Sequence, residues 1–294
     1  MDSIEEVLKK NRPNLSNNSL KTYISLLKNL HKKIFGEKID LKNFKEYNKI
    51  LDFLKSIDGN KRKSTLSALV VFCNNDCEQY RDLMISDAIK YNEEQKENKK
   101  NDKEKQNWIN QDAIKTIFNK YEKQAKLILK QKEFSNNDLQ KIQNYIIICL
   151  MSGIFIPPRR SLDWTEFKIK NIDKNKDNFI DKNNLIFNTY KTSKFYKQAS
   201  IPLPPKLKSI LKKWISINNI SDYLLFDKNG NKLTPVKLTQ RNNKIYDGKI
   251  STNMLRHSFI TEKYNNLLPK LKEIDDLADS MGHSLEQHLE YIKN

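Results

Sequence analysis

The sequence predicts a mainly helical protein with one small antiparallel β-sheet, built as two successive units. Three observations predict this. Apolar residues recur at three- and four-residue spacing through most of the 294 residues. Short β-branched and aromatic runs bounded by turn residues are confined to residues 167–203. A stretch without any apolar residue, 93–106, separates the two helical parts. The expected division is a helical domain over residues 1–92, a charged linker over 93–107 and a second domain over 108–294.

The first domain reads as helices throughout. Leu20, Tyr23, Ile24, Leu27, Leu30 and Ile34 share one helical face, with Ser19 as N-cap. Ile50, Phe53, Leu54 and Ile57 repeat the pattern, which stops at Asp58 and Gly59. Lys61, Arg62 and Lys63 then precede Ser64, the expected cap of a helix carrying Leu66, Leu69, Val70 and Cys73. Cations ahead of a helix N-terminus oppose its dipole, a cost offset if a phosphate sits there. A solvated basic turn is the equal alternative.

Trp108 opens the second domain. Helical patterns cover 110–132 and 136–152, and the second is strongly apolar at Ile142, Tyr145, Ile146, Ile148, Cys149 and Leu150 and is expected to be buried. Pro157 and Pro158 end it. Residues 167–169, 184–190 and 198–203 read as three antiparallel strands, with residues 191–197 as the tip joining the last two. Pro204 and Pro205 start a helix through Leu207, Ile210, Leu211 and Trp214. The remainder reads as helices over about 235–245, 252–266, 270–281 and 284–292.

Charge points to the partner. Lys and Arg number 54 against 36 Asp and Glu, a net charge of +18. An AT-rich coding bias raises lysine, but it raises the acidic residues too. A net excess of this size favours a polyanion, with double-stranded DNA first, because bound phosphates release condensed counterions. Six glycines disfavour Gly-rich phosphate loops, and with them ATP or dinucleotide chemistry. Three cysteines, Cys73, Cys77 and Cys149, form no zinc pattern and imply a reducing compartment. No run reaches membrane-span length, and the acidic start is unlike a signal peptide, so a soluble intracellular protein is expected.

Several residues stand out as anion ligands. Arg159 and Arg160 follow the proline pair, and Asp163 lies one helical turn on, placed to hold the Arg160 guanidinium. Arg256 sits near the start of a helix and is followed by His257. His283 follows Gly282, a helix C-cap. Tyr291 lies eight positions beyond His283 on an amphipathic run. Lys191 lies at the tip between two strands, with Lys194 as the competing candidate. Each has an ordinary reading too: surface arginines, a structural histidine, a packed tyrosine.

In the chain order Arg160, Lys191, Arg256-His257, Gly282-His283, Tyr291, the residues resemble the tyrosine recombinase, or phage-type integrase, family. The matching stretches are Arg160 to Ile169, Tyr190 to Ser193, Leu255 to Ser258, and Met281 to Ser284 with Tyr291. The resemblance covers the chain from about Trp108 onward, and the first domain looks like that family's core-binding domain. The Lys- and Asn-rich style is similar to integrases of large DNA viruses and virophages. The resemblance implies a recombinase-like catalytic domain that cleaves and rejoins DNA through a 3′-phosphotyrosyl bond. In that scheme Arg160 and Arg256 hold the phosphate, His283 adds a donor, Lys191 protonates the leaving oxygen and Tyr291 attacks. Lys61, Arg62, Lys63, Arg159 and Lys194 are the further DNA contacts. No metal or other cofactor is implied, and a homotetramer on paired DNA sites is.

Two features depart from the family pattern. Asn253 stands where the family has histidine, three residues before the second arginine. It can donate a hydrogen bond but takes no proton. The interval from His283 to Tyr291 is one residue shorter than expected, and only three residues follow. Any tetramer then depends on other contacts, or on Tyr291 being delivered in trans. A type IB topoisomerase shares the chemistry but works as a monomer, and Asn253 also fits a DNA-binding protein with a decayed site.

Overall fold

The computed structural model describes residues 3–74, 76–96 and 99–291. It is mostly helical with one small three-stranded antiparallel sheet. Two compact units divide the chain, residues 1–100 and 101–294.

The first unit holds α1 (Ile4–Asn11), α2 (Asn17–Phe35), a 3-10 turn (Leu41–Lys45), α3 (Tyr47–Lys55), α4 (Gly59–Cys73) and α5 (Glu78–Lys96). The sequence reading named no separate first helix, yet Ser3 and Glu6 close a capping box on α1. Leu8, Leu27, Phe44, Ile50, Leu54, Leu66, Leu69 and Tyr80 form its core. The cap of α2 is Ser16 rather than Ser19, and Ser19 donates its backbone N–H to the Ser16 hydroxyl. The N-cap of α4 is Asp58, not Ser64. Asp58 carries an acceptor and a negative charge to the helix start, so the helix begins six residues early. Lys61, Arg62 and Lys63 therefore lie within α4, not ahead of it.

The second unit begins with α6 (Asp102–Asn107), so part of the expected linker is helical, with an Asn101–Glu104 capping box. Then come α7 (Gln111–Ile128), α8 (Asn136–Met151) and α9 (Ser161–Thr165). The strands are β1 (Phe179–Asp181), β2 (Asn184–Phe187) and β3 (Ala199–Pro202), with α10 (Ser193–Tyr196) between β2 and β3. Next are α11 (Pro205–Ile217), α12 (Pro235–Ile245) and α13 (Thr252–Tyr264). A 3-10 turn (Asn265–Leu267), α14 (Leu268–Ser280) and α15 (Leu285–Glu290) follow.

The sheet differs from the expectation in its first strand. Residues 167–169 make isolated bridges, Phe167 with Asn178 and Lys168 with Tyr223. The first strand is β1, paired with β2 in the register Phe179 to Ile186 and Asp181 to Asn184. The turn between them needs a left-handed residue, and Lys182 adopts φ 50° there. Leu185 pairs with Ile201 and Phe187 with Ala199 in the other ladder, as alternation predicts.

α8 runs through the core and is buried at Ile142, Ile146, Ile147, Ile148, Cys149 and Leu150. A ring cluster of Trp164, Phe167 and Phe187, with centroids 5.4–5.7 Å apart, seats α9 against β2. α13 buries Thr252, Leu255 and Ser258 on one face. Gly153, at φ +90°, lets that helix approach the end of α8, because a Cβ there would lie 2.4 Å from Phe259 Cδ2. Gly153→Ala is expected to destabilise the fold by about 2–4 kcal/mol, from strain and overpacking together. Urea denaturation measures it, and an unchanged midpoint would contradict this account of α13.

Candidate functional site

Two prolines and a buried carboxylate place the first arginine. Pro157 and Pro158 hold the chain extended, and Arg160 takes the N-cap position of α9 at φ −69°, ψ 155°. Its side chain caps nothing. Ser161, the first residue of α9, shares a 2.6 Å hydroxyl hydrogen bond with Thr252, the first residue of α13. That bond joins the N-termini of two helices some ninety residues apart in sequence. α13 is started by Ser251, which accepts from the Met254 N–H at 3.2 Å. Buried Gln111 of α7 donates to Ser258 at 3.2 Å and holds the helix from the other side.

Asp163 is the centre of this cluster. It is 3% exposed. Burial pushes its carboxyl above the usual carboxylate range, while the guanidiniums of Arg159, Arg160 and Arg256 pull it down. Arg160 and Arg256, from separate segments, are near enough to favour its charged form, but among the described residues neither hydrogen-bonds it. The expectation that Asp163 holds Arg160 is corrected. Arg159 Nε donates to Asp163 Oδ2 at 2.7 Å. The reason is the ring beneath it: the Arg159 guanidinium lies 4.1 Å over Phe187, which brings Nε to the carboxylate. Arg159 is therefore engaged in the fold rather than presented as a free cation.

A raised carboxyl has a defined consequence for stability. Folding then favours the protonated form. The associated stability is complete below the ordinary carboxylate value and declines as pH rises through the higher folded value. Asp163→Asn removes that decline. Its urea midpoint, relative to the unmodified chain, is expected to improve steadily from pH 4 towards neutrality. A difference that shrinks over this window would contradict the assignment.

The remaining candidates fall in other places. Lys191 is exposed on the β2–β3 connection, and Lys194 is exposed on α10. Beside them, Phe195 and Tyr196 are 83% and 75% exposed. The sequence reading passed over these rings, although an aromatic pair among Lys191, Lys194 and Lys197 was visible there. Asn253 is exposed and Arg256 half-buried on α13. His257 points away from this group and pairs with Glu104 at 3.2 Å. In the first unit, Lys61 is exposed and Lys63 lies 4.7 Å over the Tyr91 ring. Arg62 is taken up internally. It grips Asp87 with two nitrogens, at 2.6 and 2.8 Å, and donates to the carbonyls of Leu54 and Ile57.

A second cluster lies at the end of the chain. His283 N–H bonds the Ala278 carbonyl and Gly282 N–H bonds Asp279, which closes α14 with a left-handed glycine at φ +76°. Ser284 then caps the next turn through Gln287 N–H. His283 Nε2 and His288 Nδ1 are 3.0 Å apart. The Tyr291 ring packs against His283 with centroids 5.4 Å apart, and Tyr291 is 64% exposed. Among the described residues, no hydrogen bond, ion pair or ring contact joins this cluster to Arg160 or Arg256. The described residues thus fall into two groups without a direct contact between them, the arginines in one and the histidines and tyrosine in the other.

Among the described residues, no helix is long and apolar enough to cross a membrane, and no group of three or more His, Cys, Asp and Glu is placed to hold a metal ion. No family model matches the chain, and no curated protein matches it. One solved structure to which it is similar is described as the crystal structure of XerA recombinase. The identity is 13%, the TM-score 0.36, and the match covers 90% of this chain and 85% of that one. A TM-score of this size establishes neither a shared fold nor a shared activity, so the functional reading rests on the residues themselves.

Proposed function

We propose that this chain is a site-specific DNA recombinase or integrase that cleaves and rejoins duplex DNA through a tyrosine–phosphate bond. The single observation that carries the reading is the junction of α9 and α13. There Arg160 holds the N-cap of α9, Arg256 stands on α13 four residues after its start, and the Ser161–Thr252 bond ties the two helix N-termini together. Two planar guanidiniums beside helix N-termini suit a phosphodiester, whose charge grows in the transition state of displacement.

The roles follow from chemistry. Arg160 and Arg256 bind the nonbridging oxygens, and Asn253 donates a hydrogen bond from the exposed side of α13. The Tyr291 oxygen attacks phosphorus, the 5′-oxygen leaves, and Lys191 gives it a proton. The phosphodiester energy is conserved in the tyrosyl bond. Lys61, Lys63 and Lys194, with Phe195 and Tyr196, contact the duplex, and the first unit serves as a core-binding domain.

The separation of the two clusters has a place in this scheme. Leu267, Leu271, Leu277 and Met281 are exposed along the C-terminal helices that carry Tyr291. Apolar side chains in a row are a surface for a partner. A second copy of the chain is that partner in a tetramer on paired sites. The helices then reseat when copies and DNA assemble, bringing Tyr291 to the arginines.

The test is a nicked suicide duplex bearing target sequence, selected from a randomised pool and incubated with the chain in a chelator. A covalent protein–DNA adduct is expected. A second reading, a DNA-binding protein with a decayed site, is favoured by Asn253 and by the lack of a contact between the two clusters among the described residues. It predicts tight, salt-sensitive binding and no adduct. Relaxation of supercoiled plasmid by monomer without recombinant product would instead favour a topoisomerase.

A further inference from the structure

His288 has no role in the scheme above, yet its ring makes a side-chain hydrogen bond to His283 at the end of the chain. Its Nδ1 lies 3.0 Å from His283 Nε2, and the two rings are 21° from parallel with centroids 5.2 Å apart. The backbone builds this pair. The left-handed Gly282 and the bond from His283 N–H to Ala278 fix the first ring, and His288 N–H bonds the Ser284 carbonyl at 2.8 Å to fix the second. Tyr291 follows one turn later and bonds the His288 carbonyl through its own N–H at 3.1 Å.

A hydrogen bond between two imidazole nitrogens holds one proton. One nitrogen donates, the other accepts, and the two rings adopt linked tautomers. With His283 Nε2 engaged, Nδ1 is its remaining nitrogen. Against the His283 ring packs the phenol of Tyr291, whose proton must be taken during attack. Asn253 has no group that accepts a proton. The histidine pair does, and its ring contact with Tyr291 places it at the nucleophile.

We propose that His288 is a positioning residue for Tyr291. Its Nδ1 accepts the Nε2 proton of His283, which leaves His283 Nδ1 bare to take the phenol proton during cleavage. The balance is simple and rests on the recombinase reading. The phenol O–H bond breaks, its proton goes to His283 Nδ1, and the oxygen pair forms the bond to phosphorus. The bond from phosphorus to the 5′-oxygen breaks, and that oxygen takes its proton from Lys191. His283 is then an imidazolium, shared with His288 through their bond, and it returns the proton on rejoining.

Two measurements on the full chain test this. The first is the 15N spectrum of labelled imidazoles without DNA. His283 is expected to show a protonated Nε2 and a bare Nδ1, and His288→Ala to mix the tautomers. The second is the single-turnover rate of adduct formation on the nicked duplex, with duplex affinity measured alongside. His288→Ala is expected to slow it about 100-fold, at the lower end for a general base, with unchanged affinity. His288→Asn, whose amide oxygen accepts in the place of Nδ1, is expected to recover most of the rate. An unchanged His283 tautomer and rate in His288→Ala overturns the proposal. So does an asparagine variant as slow as alanine, which would show that the ring only packs. Failure of the unmodified chain to form any adduct is a separate result and sinks the recombinase reading itself.

Discussion

Tyr291→Phe is expected to abolish the covalent adduct while duplex affinity stays within about twofold, because phosphate contacts by Lys and Arg dominate binding. The change removes one oxygen and leaves the ring that packs against His283. Its effect on folding is therefore small, since Tyr291 is exposed and its hydroxyl makes no hydrogen bond among the described residues. A gel that resolves free from protein-linked DNA reads the outcome directly. Retention of the adduct in Tyr291→Phe would move the nucleophile to another residue. Simultaneous loss of duplex binding would show that the phenylalanine chain is disturbed beyond its chemistry.

Arg256→Ala is expected to cost about 3 kcal/mol of transition-state stabilisation, roughly a 100-fold to 1000-fold fall in cleavage rate, the usual effect of losing one oxyanion donor. The position explains why the loss falls on the transition state. Arg256 leaves α13 half-buried, one residue past the fully buried Leu255, on the helix whose N-terminus is tied to that of α9 beside Arg160. Its aliphatic part contributes little core, so the fold is expected to persist. Arg160→Ala should behave alike, and the double variant should cost less than the sum, because both groups serve one phosphate. Single-turnover rates at saturating DNA separate these outcomes from weakened binding. Near-normal cleavage by Arg256→Ala would remove it from the site.

Much of the frame was legible because it is local. α13 begins at Thr252 and α12 spans residues 235–245, as capping and periodicity indicate. β2 and β3 follow from alternation. β1 escaped because its signal is three residues long and its turn uses Lys182 in a conformation usually taken by glycine or asparagine. The displaced start of α4 came from weighing a serine cap over the aspartate six residues before it. The site was legible as a set of residue types but not as contacts. Nothing in the sequence distinguishes Arg159 from Arg160 as the partner of Asp163. The choice is made by Phe187, a strand residue nearly thirty positions away that supplies the ring under Arg159. The Ser161–Thr252 bond is equally nonlocal. His288 was visible as a neighbour of Tyr291 at helical spacing, but its bond to His283 depends on the turn at Gly282.

The central claim is that Tyr291 becomes joined to the phosphate that Arg160 and Arg256 hold. Mass spectrometry of the trapped adduct after protease and nuclease digestion tests it most directly. The account predicts a terminal peptide carrying a 3′-linked nucleotide on Tyr291, with its yield falling together in Arg160→Ala and Arg256→Ala. A nucleotide on any other side chain, or a Tyr291 adduct indifferent to both arginine changes, would contradict it.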